Sequence, residues 1–173
     1  MLFCIQKENF TCNMSVNGHQ LIIYTDGSSR GNPGPGGYGA ILIWGDKKKE
    51  LSAGYRRTTN NRMELLGVIS ALESLTKKNI PLTIYTDSQY IVKAVQLKWL
   101  DKWMKTNFAG GKKNKDLWTR YYNLAKDFQI NFVWVKGHAD NPLNNRCDVL
   151  ATTAADGRNL LIDEEYERES KSN

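Results

Sequence analysis

At about 150 residues per domain, the 173-residue chain has the length of one domain and can bury a substantial core. Hydrophobic residues make 40% and charged residues 24%, which excludes a disordered chain, a collagen and a coiled coil, and no apolar run approaches the roughly 18 residues of a membrane span. The net charge of +6 is local: Ile91 to Arg120 carries eight basic residues against Asp101 and Asp116, so the remainder of the chain sums to zero. A surplus confined to one segment is the footprint of a surface that meets a polyanion, although lysines alone also serve solubility.

Residues 1–19 carry little periodicity and are expected to form a loose extension, with Met14 as an alternative start. They lack the basic and apolar regions of a secretory signal, and Cys4, Cys12 and Cys147 form no C-x-x-C pair. A reducing, cytoplasmic compartment is the expectation. Leu21 to Tyr24 reads as a strand ending in Thr25-Asp26-Gly27, and the Gly31 to Gly37 run is expected to be irregular. Tyr38 to Trp44 and Leu51 to Arg57 are two further strands joined by a polar turn. Leu65, Val68, Ile69, Leu72 and Leu75 recur at helical spacing, with Asn61-x-x-Glu64 resembling a capping box.

Leu82 to Tyr85 is a fourth strand that again ends in Tyr-Thr-Asp. A right-handed crossover through the preceding helix makes it parallel to the first, which sets Asp26 and Asp87 side by side at the carboxyl edge of a sheet. Helices follow from Ser88 and up to about Asp127, interrupted by an irregular Lys/Gly-rich stretch over 107–114. Ile130 to Val135 is the fifth strand, and Leu143 to Ala155 the last helix, with Leu143, Cys147, Leu150 and Ala154 inward. The acidic tail is expected to fray. The division is therefore an extension over 1–19, one folded domain over 20–156 and a tail over 157–173.

Gly34-x-Gly36-x-x-Gly39 satisfies the dinucleotide fingerprint, but β-type residues follow it where a helix is needed to receive the pyrophosphate. Asp26, Glu64, Asp87 and Asp148 each have an ordinary reading: turn residue, capping acid, helix N-cap, surface acid. Taken together, Asp26 and Asp87 end neighbouring strands while Glu64 begins the helix between them. A cluster of hard oxygen donors without bases suits Mg²⁺ or Mn²⁺, and two such ions about 4 Å apart catalyse phosphodiester hydrolysis. His138, in a Lys-Gly-His loop, is either an exposed histidine or a proton carrier near that cluster. Trp99 and Trp103 stand one turn apart among Lys98, Lys102 and Lys105, a pattern that packs on sugars or bases while neutralising phosphates. Trp44, Trp118 and Trp134 are assigned to the core.

Thr25-Asp26-Gly27-Ser28 with Gly31-Asn32-Pro33-Gly34, then Thr59 to Glu64, Thr86-Asp87-Ser88-Gln89-Tyr90, Lys136-Gly137-His138-Ala139 and Arg146-Cys147-Asp148 occur in this order, and together they closely resemble type 1 ribonuclease H from about Leu21 to Ala155. The resemblance implies an α/β, ribonuclease H-like fold, a five-stranded mixed sheet flanked by helices. It implies cleavage of the RNA strand of an RNA/DNA hybrid with two Mg²⁺ ions held on Asp26, Glu64, Asp87 and Asp148 and with His138 assisting; no obligate protein partner is evident, and a monomer is expected. It further implies RNA contacts by Ser28, Ser29, Asn32, Asn60, Asn61 and Gln89, a phosphate pocket for the DNA strand at Arg57 and Thr59, and a basic protrusion carrying Trp99, Lys102, Trp103, Lys105, Lys112 and Lys113. The chain has Asn144-Asn145 where that family often has Asn-Glu, losing an acid near the metals. A fold relative that cuts or joins DNA, and a silent hybrid-binding module, are the competing readings.

Overall fold

A computed structural model describes residues 20–137 and 140–171. Five strands form one sheet: β1 (Leu21–Ser29), β2 (Gly34–Trp44), β3 (Lys47–Thr58), β4 (Pro81–Thr86) and β5 (Gln129–Trp134), in the order β3-β2-β1-β4-β5. β1 to β3 form an antiparallel meander, whereas β4 lies parallel to β1 and β5 parallel to β4. The helices are α1 (Asn60–Glu73), α2 (Gln89–Gln96), α3 (Trp99–Lys105), α4 (Lys115–Ala125), α5 (Pro142–Ala155) and α6 (Glu164–Lys171). None of the described helices is long and apolar enough to cross a membrane.

α1 buries its predicted stripe, Leu65, Val68, Ile69 and Leu72, against β1 and β2, and Leu75, just past its end, is buried as well. Its N-cap is Thr59, whose hydroxyl accepts from the Arg62 amide, so the capping-box reading of Asn61 and Glu64 is corrected and Glu64 stands a full turn inside the helix. α5 covers the opposite face of the meander. It buries Asn144, Cys147, Ala151 and Ala155, while the predicted Leu143, Leu150 and Ala154 are only half-buried.

The glycine-rich segment departs from expectation, because β2 begins at Gly34 and runs through it. A Cβ on Gly37 would lie 2.5 Å from the Ala151 carbonyl oxygen, one on Gly39 2.3 Å from that of Cys147, and one on Gly54 2.0 Å from that of Ala154. These glycines form a flat strip on which the α5 backbone rests. Glycine weakens a strand ordinarily, but here it is required by the close approach of another backbone.

The tail also departs from the frayed expectation. Leu161 exchanges backbone hydrogen bonds with Gly54 and Arg56, extending the edge strand β3 by a short rung. Beyond it Asp163 is buried, accepting two hydrogen bonds from Arg62 and one from the Thr58 hydroxyl, and Glu167 takes a bidentate ion pair from Arg56. The edge is thereby covered, and Asp163 and Glu167, two of the acids that made the tail look solvated, are bound to arginines.

Candidate active site

The parallel pairing of Thr25 with Thr86 places Asp26 and Asp87 next to each other where β1 and β4 end. Glu64 enters from α1, which lies so close that a Cβ on Gly27 would stand 2.3 Å from the Glu64 amide nitrogen. The consequence is a cluster of three carboxylates from three elements, Asp26, Glu64 and Asp87, with ligand oxygens all within 4.8 Å of one another. Asp26 and Glu64 are each 5% exposed, and Asp87 is half-buried. Ser88, not Asp87, caps α2, which leaves the Asp87 carboxylate to the cluster.

Burial, then the charges of Asp87 and Asp148, push the Asp26 carboxyl up to about 8, against the opposing pull of the Gly27 amide 2.8 Å from its Oδ1. Burial and the charges of Asp26 and Asp87 likewise raise Glu64 well above the ordinary range. The Glu64 Oε2 is buried and has no hydrogen-bond partner. Compact, desolvated oxygens, one of them unsatisfied, fit a hard divalent cation, which would relieve the repulsion. Asp148, half-exposed on α5, lies outside the 4.8 Å trio but near enough for its charge to act on Asp26.

His138 falls outside the described residues, but the loop leading to it passes directly over the cluster. A Cβ on Gly137 would come within 2.5 Å of the Asp87 Oδ2. Gly137→Ala is therefore expected to push the Asp87 carboxylate aside and lower kcat by about tenfold or more with little loss of stability, since the displaced atom ends a rotatable side chain. Steady-state cleavage rates beside a thermal melt test this; an unaltered kcat would mean that the loop yields instead.

On the other side of α2 from β5 lies a cavity of about 520 Å³, lined by Asn32, Pro33, Thr59, Asn61, Tyr90, Trp103, Gly111, Lys112, Lys113, Asn114 and Tyr166. The Asn32 Oδ1 accepts from the Asn60 amide and ties the glycine-rich loop to α1. Ser28 and Ser29 are half-buried at the end of β1, and Gln89 is exposed at the start of α2. Arg57 is exposed on β3 and does not line the cavity. Trp99 is 41% exposed, with Lys102 and Lys105 exposed beside it on α3. Trp103 is instead half-buried, packed against Tyr90, Phe108 and the fully buried Trp118, and Lys112 reaches its ring at 6.0 Å. This cluster sets the basic loop beside the cavity.

Sequence reasoning missed Asn114 and Tyr166. Asn114 adopts a left-handed conformation (φ 62°) just before α4 and donates to the Tyr90 hydroxyl; an asparagine opening a helix after two lysines was the available signal. Tyr166 arrives on α6, over the Arg62 guanidinium at 5.7 Å, and had no local signal. Trp134, assigned to the core, is 45% exposed at the end of the edge strand β5.

A sequence model of the RNase H family matches residues 18–156. A ribonuclease H from Lachnoclostridium phytofermentans is 53% identical over 154 residues, 83% of this chain and 97% of that protein. Among solved structures, LC9-RNase H1, a type 1 RNase H with the type 2 active-site motif, superposes with a TM-score of 0.73 at 27% identity over 90% of this chain and 82% of its own. LC11-RNase H1, solved in complex with an RNA/DNA hybrid, gives 0.63 at 28% identity over 79% and 97%. With its carboxylates converging where the parallel strands end and the match spanning every element of the sheet, the chain belongs to the ribonuclease H family, in its type 1 branch.

Proposed function

We propose that the chain is an endoribonuclease that hydrolyses the RNA strand of RNA/DNA hybrids, leaving 3′-hydroxyl and 5′-phosphate ends, with Mg²⁺ as its working ion and Mn²⁺ able to replace it. The observation that carries the reading is the trio of close, desolvated carboxylates within a family match of most of the chain. The chemistry supplied by two bound divalent ions is activation of the attacking water and stabilisation of the leaving 3′ oxygen. Asp26, Glu64 and Asp87 hold them, and Asp148 completes the set from α5. His138 moves a proton at the mouth of the site.

The residues around the cluster sort by strand. Ser28, Ser29, Asn32, Asn60, Asn61 and Gln89 face the RNA, where 2′-hydroxyls distinguish it from DNA. The cavity beyond α2 takes a phosphate of the DNA strand, with Thr59 and Asn114 as its polar lining and Lys112 and Lys113 as its charge. Trp99, Lys102 and Lys105 extend that surface along α3. On this reading the working form is a monomer in a reducing, cytoplasmic compartment, a setting in which the free, buried Cys147 thiol needs no partner.

Incubating labelled hybrid, DNA and RNA duplexes with Mg²⁺ tests the reading. Nicks confined to the RNA of the hybrid are expected; DNA products would indicate a DNA-processing relative, and retention without nicking a binding module. Replacing Lys112, Lys113 and Lys115 with alanine is expected to weaken hybrid binding and flatten its dependence on log salt by up to about 0.9 per lost phosphate contact, while saturated turnover changes far less. Binding titrations at several salt concentrations measure the slope, and an unchanged slope would return these lysines to ordinary surface charge.

A further inference from the structure

The face of α2 turned away from the cavity borders a second, smaller groove of about 270 Å³, lined by Gln89, Val92, Lys93, Gln96 and Trp134. Helical spacing separates the two: Tyr90 points into the first, while Gln89, Val92, Lys93 and Gln96 share the other side. The groove is built rather than incidental. The Trp134 indole N–H donates to the Asp87 backbone carbonyl at 3.1 Å, and the Gln96 amide donates to the Phe132 carbonyl at 3.0 Å, so α2 and the end of β5 are tied together above and below it. Within it stand an indole that is 45% exposed and the exposed ammonium of Lys93, which makes no ion pair among the described residues.

We propose that this groove is a further RNA-strand subsite, in which Trp134 packs against a ribose near the scissile position and Lys93 neutralises the phosphate next to it. The inference rests on the hybrid-cleaving reading above. Three features select this occupant. Trp134, which lines the groove, is bonded to the backbone of Asp87, so the groove adjoins the carboxylates and a strand whose phosphate sits on them can continue past Trp134. It lies across α2 from the cavity given to the DNA strand. An apolar ring beside a single free cation matches the alternation of sugar and phosphate along a backbone, whereas the bases of a duplex remain stacked on each other. An exposed tryptophan on an edge strand is otherwise a liability for association, and occupation by substrate gives it a use.

The test is binding of labelled hybrids in EDTA by wild type, Trp134→Ala, Trp134→Phe and Lys93→Ala, using RNA strands shortened one nucleotide at a time from either end against a full-length DNA strand, and DNA strands shortened in the same way against a full-length RNA strand. Trp134→Ala is expected to weaken binding by about fivefold or more with an unchanged salt slope, Trp134→Phe to retain most of the affinity, and Lys93→Ala to lower the slope by about 0.9. Both losses should vanish when the RNA is cut back past the groove from one end only. A Trp134→Ala loss that persists at every RNA length overturns the proposal, since Trp134 would then act through the position of Asp87. Dependence on the length of the DNA strand would assign the groove to the wrong strand, and no loss in any variant would leave it idle; either result also overturns the subsite. Failure of the underlying reading is distinct: wild type itself would then show no preference for hybrid over duplex DNA.

Discussion

Asp26→Asn is expected to abolish cleavage while making the metal-free protein more stable. The loss of activity follows from removing a charged oxygen ligand at the centre of the cluster. If that ligand supplies about 4 kcal/mol of transition-state stabilisation, the rate falls about a thousandfold. The gain in stability follows from the same electrostatics. The folded Asp26 carboxyl is raised to about 8, by burial first and then by Asp87 and Asp148, while its ordinary value is 3.8. With a raised folded value, this group's contribution to stability is fully present below pH 3.8 and is lost progressively as pH climbs to about 8, because the unfolded chain gives up its proton first. At neutral pH without metal, wild type bears most of that loss. Asparagine does not, and its carbonyl still accepts from the Gly27 amide that now bonds Oδ1. A gain of about 2 kcal/mol raises the melting temperature by about 4–8 °C in a chain of this size. In millimolar Mg²⁺ the difference should shrink or reverse, because ions bound to native wild type restore its stability. Thermal melts of both proteins in EDTA and in Mg²⁺, at pH 5 and pH 8, measure each part; a variant less stable than wild type in EDTA at pH 8 would refute the account of a self-repelling cluster.

That cluster was legible because two signals coincide. The repeated Tyr-Thr-Asp fixes where both strands end, and the periodic stripe from Leu65 to Leu75 fixes the crossover helix that makes them parallel, as the register of Thr25 with Thr86 bears out. Asp148 was harder, and its distance from the apolar stripe of α5 agrees with its half-exposed position beside the trio rather than within it. Illegible features depend on partners remote in sequence. Gly37, Gly39 and Gly54 read as breakers until the α5 backbone is laid on them. Trp134 fits an apolar strand pattern, but an alternating pattern does not say that the strand is an edge or that its last side chain stands beyond the core. Apart from Leu160-Leu161-Ile162 and Tyr166 the tail is polar, and its order depends on arginines about a hundred residues upstream.

The largest expected loss of stability comes from one of those arginines. Arg62 is 2% exposed and forms bidentate pairs with both Asp116 at the start of α4 and Asp163 ahead of α6. Burial works against its charge, but the two carboxylates outweigh burial and hold it protonated; in return Arg62 overcomes the burial of Asp116 and keeps that carboxyl below its ordinary range. Arg62→Ala leaves two acids desolvated without a cation, a situation that costs about 3–5 kcal/mol and lowers the melting temperature by about 10 °C or more. The cost lies in the unpaired charges, so Arg62→Met combined with Asp116→Asn and Asp163→Asn should recover much of it. Because the depressed Asp116 carboxyl stabilises the fold above the ordinary value of 3.8 and loses that contribution as pH falls through its folded value, the deficit of Arg62→Ala should narrow under acid conditions. Function should follow stability. Arg62 directly follows Asn61, donates its backbone amide to the Thr59 hydroxyl, reaches Asn114 Oδ1 at 3.5 Å, and sits against Tyr166, and these four neighbours all line the cavity given to the DNA strand. Hybrid affinity of the alanine variant, measured well below its melting temperature, should therefore fall together with stability, and the charge-free triple variant should regain more of the stability than of the affinity. An Arg62→Ala protein within about 1 kcal/mol of wild type would show that water reaches the two acids and that the tail is held by Arg56 and the β3 rung alone.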